Sequence, residues 1–166
     1  MIDKIHINHI IKEYFSRESV LINHQIESYN DLIDNILPNI ISNVFPLKIN
    51  VKKSKLDTIE FSIKNIRLER PFYTENNGCS RVMTPNIARL KNYTYSLQVI
   101  VDILIKNTID GDISIYELNN IILCKIPIVV KSKYCVSNND LFSECKYDTG
   151  GYCIINGNEK VLITQE

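Results

Sequence analysis

The 166-residue sequence has no tryptophan, 5 glycines, 5 prolines and three histidines. His6, His9 and His24 all lie near one end, which argues against a histidine-centred active site. The few glycines form neither a GxGxxG fingerprint nor a P-loop, so no phosphate cradle is encoded. A GxSxG elbow and an HExxH helix are also missing, which removes the common hydrolase and zinc-protease signatures. Neither sign of charge dominates: 19 basic residues balance 19 acidic ones. Nucleic-acid binding therefore cannot rest on bulk charge and would need a local basic patch. No apolar run approaches the ~18 residues that span a bilayer. Met1 to Asn8 is polar and charged, without the apolar stretch of a secretory leader.

Five cysteines, Cys79, Cys124, Cys135, Cys145 and Cys153, are odd in number and irregular in spacing. Free thiols in a reducing compartment is the simplest reading. No pair has CxxC spacing. Cys135 and Cys145 could supply two zinc ligands across a loop, but the histidines are far up the chain, and both are most simply small buried residues. His6 and His9, at i and i+3, could hold a metal. Two polar residues on a solvated helix face is the plainer reading. Metal ligands are therefore assigned to none.

What is abundant is apolar and aliphatic. Apolar residues make up 45% of the chain and charged residues 23%, values of an ordinary globular domain. Isoleucine is roughly one residue in six, and asparagine and lysine are plentiful. These residues share A/T-rich codons, a base-composition bias that fits an AT-rich large DNA virus or microbe.

The hydrophobic period is helical at first. Ile7, Ile10, Ile11 and Tyr14 predict a short helix to Phe15. Ile22, Ile26, Tyr29, Ile33, Ile36 or Leu37, and Ile40 form one stripe of a longer helix, with Ser19 as N-cap. Pro38 should kink or end it. The period then becomes two. Leu47, Ile49 and Val51, and then Ile59, Phe61 and Ile63, predict half-buried strands. Residues 70–85 carry Pro, Asn-Asn-Gly and Ser and read as a loop, and Pro85 starts a short helix through Leu90. A long strand follows from Tyr93 to Ile105, a turn at Asp110-Gly111, and a return strand from Ile113. The run "IILCKIPIVV" reads as buried on both faces. Asn138, Asn139 and Asp140 could cap one helical turn through Phe142. Asp31, Asp34, Asp110 and Asp112 are scattered acids, and Asp102 faces outward from a strand. The class is α+β: N-terminal helices over residues 1–44, then an antiparallel or mixed sheet over residues 45–166.

Three blocks carry a resemblance. They are "HQIESYNDLI", "TPNIARLKNYTYSLQVIVDI", and "KIPIVVKSKYC" leading to "SECKYDTGGYCIINGNEKVLITQE". Together they resemble the second-largest (beta-type) subunit of multisubunit DNA-dependent RNA polymerases, of the eukaryotic, archaeal and large-DNA-virus branch. The sequence departs from that pattern at Cys153 in place of Phe, at Lys131 and Lys91 in place of Arg, and at Thr84 in place of Tyr.

The resemblance implies the N-terminal part of the protrusion domain, left incomplete, spanning residues 1–166. It also implies that the chain stops at a domain junction, as a truncated piece or the product of a split gene. Catalytic residues are expected to be none, and no cofactor is expected in this fragment, with Mg²⁺ bound elsewhere in the complete enzyme. Implied partners are the largest and other polymerase subunits, template DNA, the RNA–DNA hybrid and initiation factors, without a membrane. The implied place is intracellular: host cytoplasm (a virus factory) or virion if viral, otherwise nucleus or cytoplasm. A free-standing, non-catalytic interaction module or split-gene product that binds polymerase partners is the alternative.

Candidate nucleic-acid contacts are Lys131, Lys133, Arg89 and Arg81. Lys131 and Lys133, at i and i+2 after a strand, would present two cations on one side if the chain stays extended. Arg89 is as suited to an internal acid as to DNA, and Arg81 lies in a loop. Glu159 and Lys160 read as a turn-flanking pair that fixes a junction. Gly150, Gly151 and Gly157 are expected at positive φ.

Overall fold

The computed structural model describes residues 4–16, 20–50, 58–109, 112–138, 145 and 147–163. Helices come first: α1 (Lys4–Phe15), α2 (Asn23–Asp31), a π-helical turn (Leu32–Ile36) and α3 (Leu37–Val44). Strands β1 (Leu47–Asn50) and β2 (Thr58–Glu69) follow, then the small hairpin β3 (Phe72–Thr74) and β4 (Ser80–Val82). Helix α4 (Pro85–Leu90) precedes the long hairpin β5 (Ser96–Ile109) and β6 (Asp112–Pro127). A 3-10 turn (Val136–Asn138) and the hairpin β7 (Cys153–Ile155) and β8 (Asn158–Lys160) complete the described elements. The fold is α+β, and every pairing between these strands is antiparallel.

Pro38 neither ends nor breaks the second helix. Its ring would collide with the carbonyl four residues back, and it has no N–H to offer it. The helix answers by widening. The Leu37 N–H reaches the Leu32 carbonyl, five residues back, and Pro38 falls in the first turn of α3. The wider turn takes up a residue and shifts the buried stripe. Tyr29 and Ile33 are buried as expected, but Ile40 is 51% exposed and Ile41, at 5%, points inward in its place. Ser19 and Val51 lie outside the described residues.

The main sheet runs β1-β2-β5-β6. Its register sorts the side chains onto two faces, because successive residues of a strand alternate. One face carries the rows Leu47–Phe61–Ile105–Tyr116 and Ile63–Ile103–Leu118, with Ile49 opposite Ile59. The other carries Lys48–Glu60–Lys106 and Ser62–Leu104–Glu117. Ion pairs cross the polar side, Lys48–Glu60 at 3.3 Å and Lys64–Glu117 at 3.0 Å.

The core lies at one end of this sheet. Tyr95, Leu97, Ile128, Val130 and Ile154 are buried there with Tyr29 and Ile33 of the helical unit and Ala88 of α4. Leu68 and Ile126 close the sheet side of the cluster. The Tyr95 backbone is the hub. Its N–H donates to the Ile154 carbonyl, and its carbonyl accepts from Ile128. Its hydroxyl accepts from the Val136 N–H.

Four expectations fail. Residues 70–85 are not a featureless loop: Phe72, Tyr73 and Thr74 pair with Val82, Arg81 and Ser80 around a turn closed by Glu75 and Cys79. Strand β1 is exposed along its length rather than half-buried. The run from Ile121 is not buried on both faces. Ile121, Ile122 and Leu123 are exposed on the outermost strand, and burial begins at Ile128. An apolar run can mark a central strand or an unpartnered edge, and periodicity does not separate the two. Cys135 is buried, but Cys145 is exposed, so one of that pair is not a core residue. All five cysteines are free thiols. The Asp110-Gly111 turn and the residues 139–142 of the suggested helical turn lie outside the described residues.

Candidate nucleic-acid interface

The candidate cations sit on turns and short elements around the core, so local geometry decides what each can reach. Residues 128–130 are extended and lie between two neighbours. Ile128 bonds to Tyr95, and Val130 bonds to Tyr152. After Val130 the chain does not stay extended. Lys131 takes a φ of 67°, the Ser132 N–H returns to the Val129 carbonyl, and the Cys135 N–H to the Ser132 carbonyl. The rule that puts i and i+2 on one side of a strand therefore does not apply to Lys131 and Lys133. Gly150, at φ 76°, packs against this turn. A Cβ there would lie 2.7 Å from the Val130 oxygen and 2.9 Å from the Lys131 Cβ, so only glycine fits.

Lys133 faces the helical unit. Its backbone N–H donates to Asn30 Oδ1 at 3.1 Å, and its Nζ donates to Asp34 Oδ2 at 2.8 Å. The Tyr134 hydroxyl donates to the other Asp34 oxygen. The Lys133 hydrogen bond, then that of Tyr134, holds the Asp34 carboxyl below the usual range. Tyr134 is pushed up to about 12, first by burial and then by the carboxylate it faces. Asp34 belongs to the π-helical turn, so the widened helix aims the acid that takes Lys133.

Arg89 is enclosed. It extends from α4, whose N-cap is Thr84: the Thr84 hydroxyl accepts from the Ile87 N–H at 3.3 Å. The guanidinium Nε donates to Glu159 Oε1 at 2.8 Å, and one terminal nitrogen donates to the Tyr152 hydroxyl. Tyr152 in turn donates to Asp148 Oδ2 at 2.6 Å. Burial, then Asp148, raises the Tyr152 phenol far above its ordinary value. Arg89 thus ties α4 to the Gly150-Gly151 turn and to the β7–β8 hairpin. Glu159 is its partner in that hairpin, which gives the turn-flanking acid a specific contact. Gly157 closes the same hairpin against α4. A Cβ on it would lie 2.5 Å from Asn92 Oδ1.

Arg81 projects from β4 and pairs with Glu75 across its own hairpin at 3.1 Å, with 64% of the side chain exposed. Lys91 lies over the Tyr73 ring, 4.4 Å from its centroid. The four candidates are therefore not one patch. Glu159 and Asp148 engage Arg89, Glu75 engages Arg81, and Asp34 engages Lys133. Lys131, half-exposed on its glycine-backed turn, has no ion pair among the described residues. His6 and His9 stand on the exposed α1, with His9 Nδ1 3.6 Å from Glu13. Among the described residues, no three His, Cys, Asp or Glu side chains gather as a metal site.

The sequence reading missed Asn30, Asp34, Tyr134, Asp148 and Tyr152. Their partners lie up to about a hundred positions away, and nothing local in the chain marks them. The one available signal was Asp34, an acid beside Ile33 of the helical stripe, whose aim depends on the unforeseen π-helical turn.

Comparison with known proteins identifies this architecture. Residues 20–166 match the family model described as RNA polymerase beta subunit. The chain is 34% identical over 177 residues to DNA-directed RNA polymerase II subunit 2 of Arabidopsis thaliana, covering 95% of this chain and 15% of that protein. It is 30% identical over 152 residues to DNA-directed RNA polymerase subunit Rpo2N of Methanothermobacter thermautotrophicus, covering 88% of this chain and 28% of that one. It is 31% identical over 165 residues to an RNA polymerase II subunit RPB2 homolog of Invertebrate iridescent virus 3, covering 94% of this chain and 14% of the relative. The chain thus spans between about a seventh and a quarter of these relatives' length. With its Arg89–Asp148–Tyr152–Glu159 network built from the blocks that carried the resemblance, this chain belongs to the RNA polymerase beta subunit family, as a counterpart of the N-terminal region of the second-largest subunit.

Proposed function

We propose that residues 1–166 form the N-terminal part of the protrusion of a DNA-directed RNA polymerase and line its DNA cleft. In this reading the complete enzyme transfers nucleoside monophosphates to an RNA 3′ end, with Mg²⁺ held by other parts of the assembly. This segment contributes shape and position rather than reacting groups. Its partners are the largest subunit and the other polymerase subunits, with initiation factors docking from outside. Its place is inside the cell, wherever that polymerase works.

The match over residues 20–166 carries the proposal. The geometry adds a division of labour among the cations. The ion pairs of Arg89 and Lys133 with acids of the scaffold support assigning the phosphate contact to Lys131 on its turn. Arg81 contributes only as far as DNA outcompetes Glu75, and Lys133 as far as it outcompetes Asp34. A single phosphate contact from Lys131 gives weak, sequence-independent affinity with a salt slope of about one.

The test is co-purification with the largest subunit encoded in the same genome, together with duplex binding across a salt series. Capture of that subunit is expected. Lys131→Ala should reduce the salt slope of DNA binding by about one, as loss of one phosphate contact does. A well-folded chain that never joins the largest subunit would end this reading.

A further inference from the structure

Asparagine occurs directly before glycine at two places, Asn77-Gly78 and Asn156-Gly157, and each pair forms the tip of a hairpin. Such a pair is chemically unstable. The glycine nitrogen, with no Cβ beside it, can attack the asparagine side-chain carbonyl carbon. The attack needs side chain and following peptide to swing together, so a fold that holds either one suppresses it. Asn156-Gly157 is clamped. The Thr94 hydroxyl accepts from the Asn156 N–H and donates to its Oδ1, both at 3.1 Å. The Gly157 N–H donates to the Tyr93 carbonyl at 3.0 Å. A Cβ on Gly157 would lie 2.9 Å from the Asn92 Cα and 3.1 Å from the Arg89 oxygen, so backbone walls the pair in. Freeing this nucleophile means lifting the β7–β8 hairpin off α4. Asn77-Gly78 joins strands of only three residues each, and Asn77 is exposed. Apart from its chain neighbours, nothing lies within 4 Å of where a Gly78 Cβ would be. The Gly78 N–H donates to the Glu75 carbonyl, a bond that ties the tip only to itself and opens by local fraying. Asn77 Oδ1 accepts from the Cys79 N–H at 2.9 Å, and its Nδ2 donates to Glu75 Oε2 at 3.4 Å. The first contact favours reaction, because a donor on the carbonyl oxygen stabilises the negative charge that develops there during attack.

We propose that Asn77 is a self-modifying site, converted through a cyclic imide with Gly78 to aspartate and isoaspartate, while the fold protects Asn156. The Gly78 nitrogen bonds to Asn77 Cγ, and the Cγ–Nδ2 bond breaks. The proton lost by the Gly78 nitrogen leaves, by way of water, on the departing ammonia. Water then adds to one of the two imide carbonyls and opens the ring. Addition at one carbonyl gives aspartate, and addition at the other routes the main chain through the side-chain carbon as isoaspartate. The net reaction consumes one water, releases one ammonia and needs no oxidant or reductant. Either product brings a negative charge to the hairpin tip. It forms beside Glu75, whose other oxygen pairs with Arg81 at 3.1 Å. Two carboxylates then stand where an amide had bonded to one, and Arg81 is the cation at hand for both. The conversion thus makes the β3–β4 tip acidic and holds Arg81 more firmly away from any phosphate. The assignment is independent of the polymerase reading.

The test follows both asparagines in the purified chain at neutral pH, peptide by peptide, by mass spectrometry in heavy-oxygen water. Asn77 should convert more than about tenfold faster than Asn156, as a fraying site outpaces one that opens only with its hairpin. Its product should include isoaspartate, the mark of the cyclic imide. In denaturing urea the two rates should converge, because only the fold separates them. Thr94→Val keeps the side-chain shape and removes the hydroxyl that clamps Asn156. It should speed Asn156 several-fold and leave Asn77 unchanged. Equal rates without urea would overturn the proposal. So would aspartate at Asn77 without isoaspartate, which would mean direct hydrolysis of the amide with no part for Gly78. A tenfold gap that survives in urea would overturn it as well, by tracing the difference to neighbouring residues rather than to the fold. An Asn156 rate unmoved by Thr94→Val would remove the protective clamp from the assignment.

Discussion

The two ends of strand β5 share a sequence style and differ in fate. Leu97, Val99 and Val101 are 1%, 0% and 0% exposed. Ile103 and Ile105 are half-buried, and Ile109 is 54% exposed. All are aliphatic residues on a regular strand, so neither propensity nor pattern separates them. What differs is the neighbourhood. The inner end has Tyr95, Ile128, Ile154 and the helical unit against it, locked by Arg89 and by the Lys133–Asp34 pair. The outer end has its sister strands, with Ile41, Ser42 and Phe45 bordering a pocket over Glu60, Ser62 and Leu104 on the polar side. A pattern of alternating residues shows that a face is apolar, and it does not say whether the cover belongs to the same chain.

The sharpest way to break this comparison is to truncate equivalent side chains at each end. Ile128→Ala should cost about 2–5 kcal/mol by chemical denaturation, and Leu118→Ala, half-exposed on the outer apolar face, less than about 1 kcal/mol. Similar losses would mean that the outer end is packed after all. Next comes the lock. Arg89→Ala leaves Asp148 and Glu159 without their cation around a partly buried Tyr152, and about 2 kcal/mol should be lost in urea melts. If the loss were negligible, the network would not be what joins α4 to the β7–β8 hairpin.

A smaller effect of opposite sign is expected at Tyr29. Its hydroxyl is buried without a hydrogen-bond partner among the described residues, and burial foremost raises its pKa. Tyr29→Phe should raise stability by about 1 kcal/mol, and a loss would reveal a partner for the hydroxyl. The smallest effect concerns pH. The folded-state pKa of Asp34 is depressed, so its contribution is present above the unfolded value of about 3.9 and is lost as pH falls through the lower folded value. Asp34→Asn should therefore lower the thermal midpoint slightly at neutral pH, and the difference from wild type should fade on acidification below about pH 4. A difference that grew in acid would contradict the pairing with Lys133.

Much of the fold was legible in the chain. The two periods separated helices from strands near residue 45, and Pro85 marked the start of α4 correctly. The long hairpin was visible from alternation alone. The hairpin of β3 and β4 was hidden because its three-residue strands are too short to show a period amid turn residues. The candidate site was less legible. The i, i+2 argument for Lys131 and Lys133 assumed extended backbone, and nothing in "KSKYC" announces the turn that Gly150, nineteen positions on from Lys131, stabilises from the far side. Arg89 was anticipated as a residue with an internal acid, but Glu159 and Asp148 could not be singled out from the other acids. Residue type was readable, and pairing across the chain was not.

The turn before Pro38 holds one residue more than an α-helix of the same rise requires. It works like a vernier: it lets the two ends of the helical unit keep independent phase, with Tyr29 and Ile33 set by the first part and Ile41 by the second. Length is therefore negotiable at that spot. Family members without a proline at this position could drop a single residue after Asp34 and keep Tyr29, Ile33 and the counterpart of Ile41 on the inward side, so a one-position gap there in an alignment would be compatible with conserved packing.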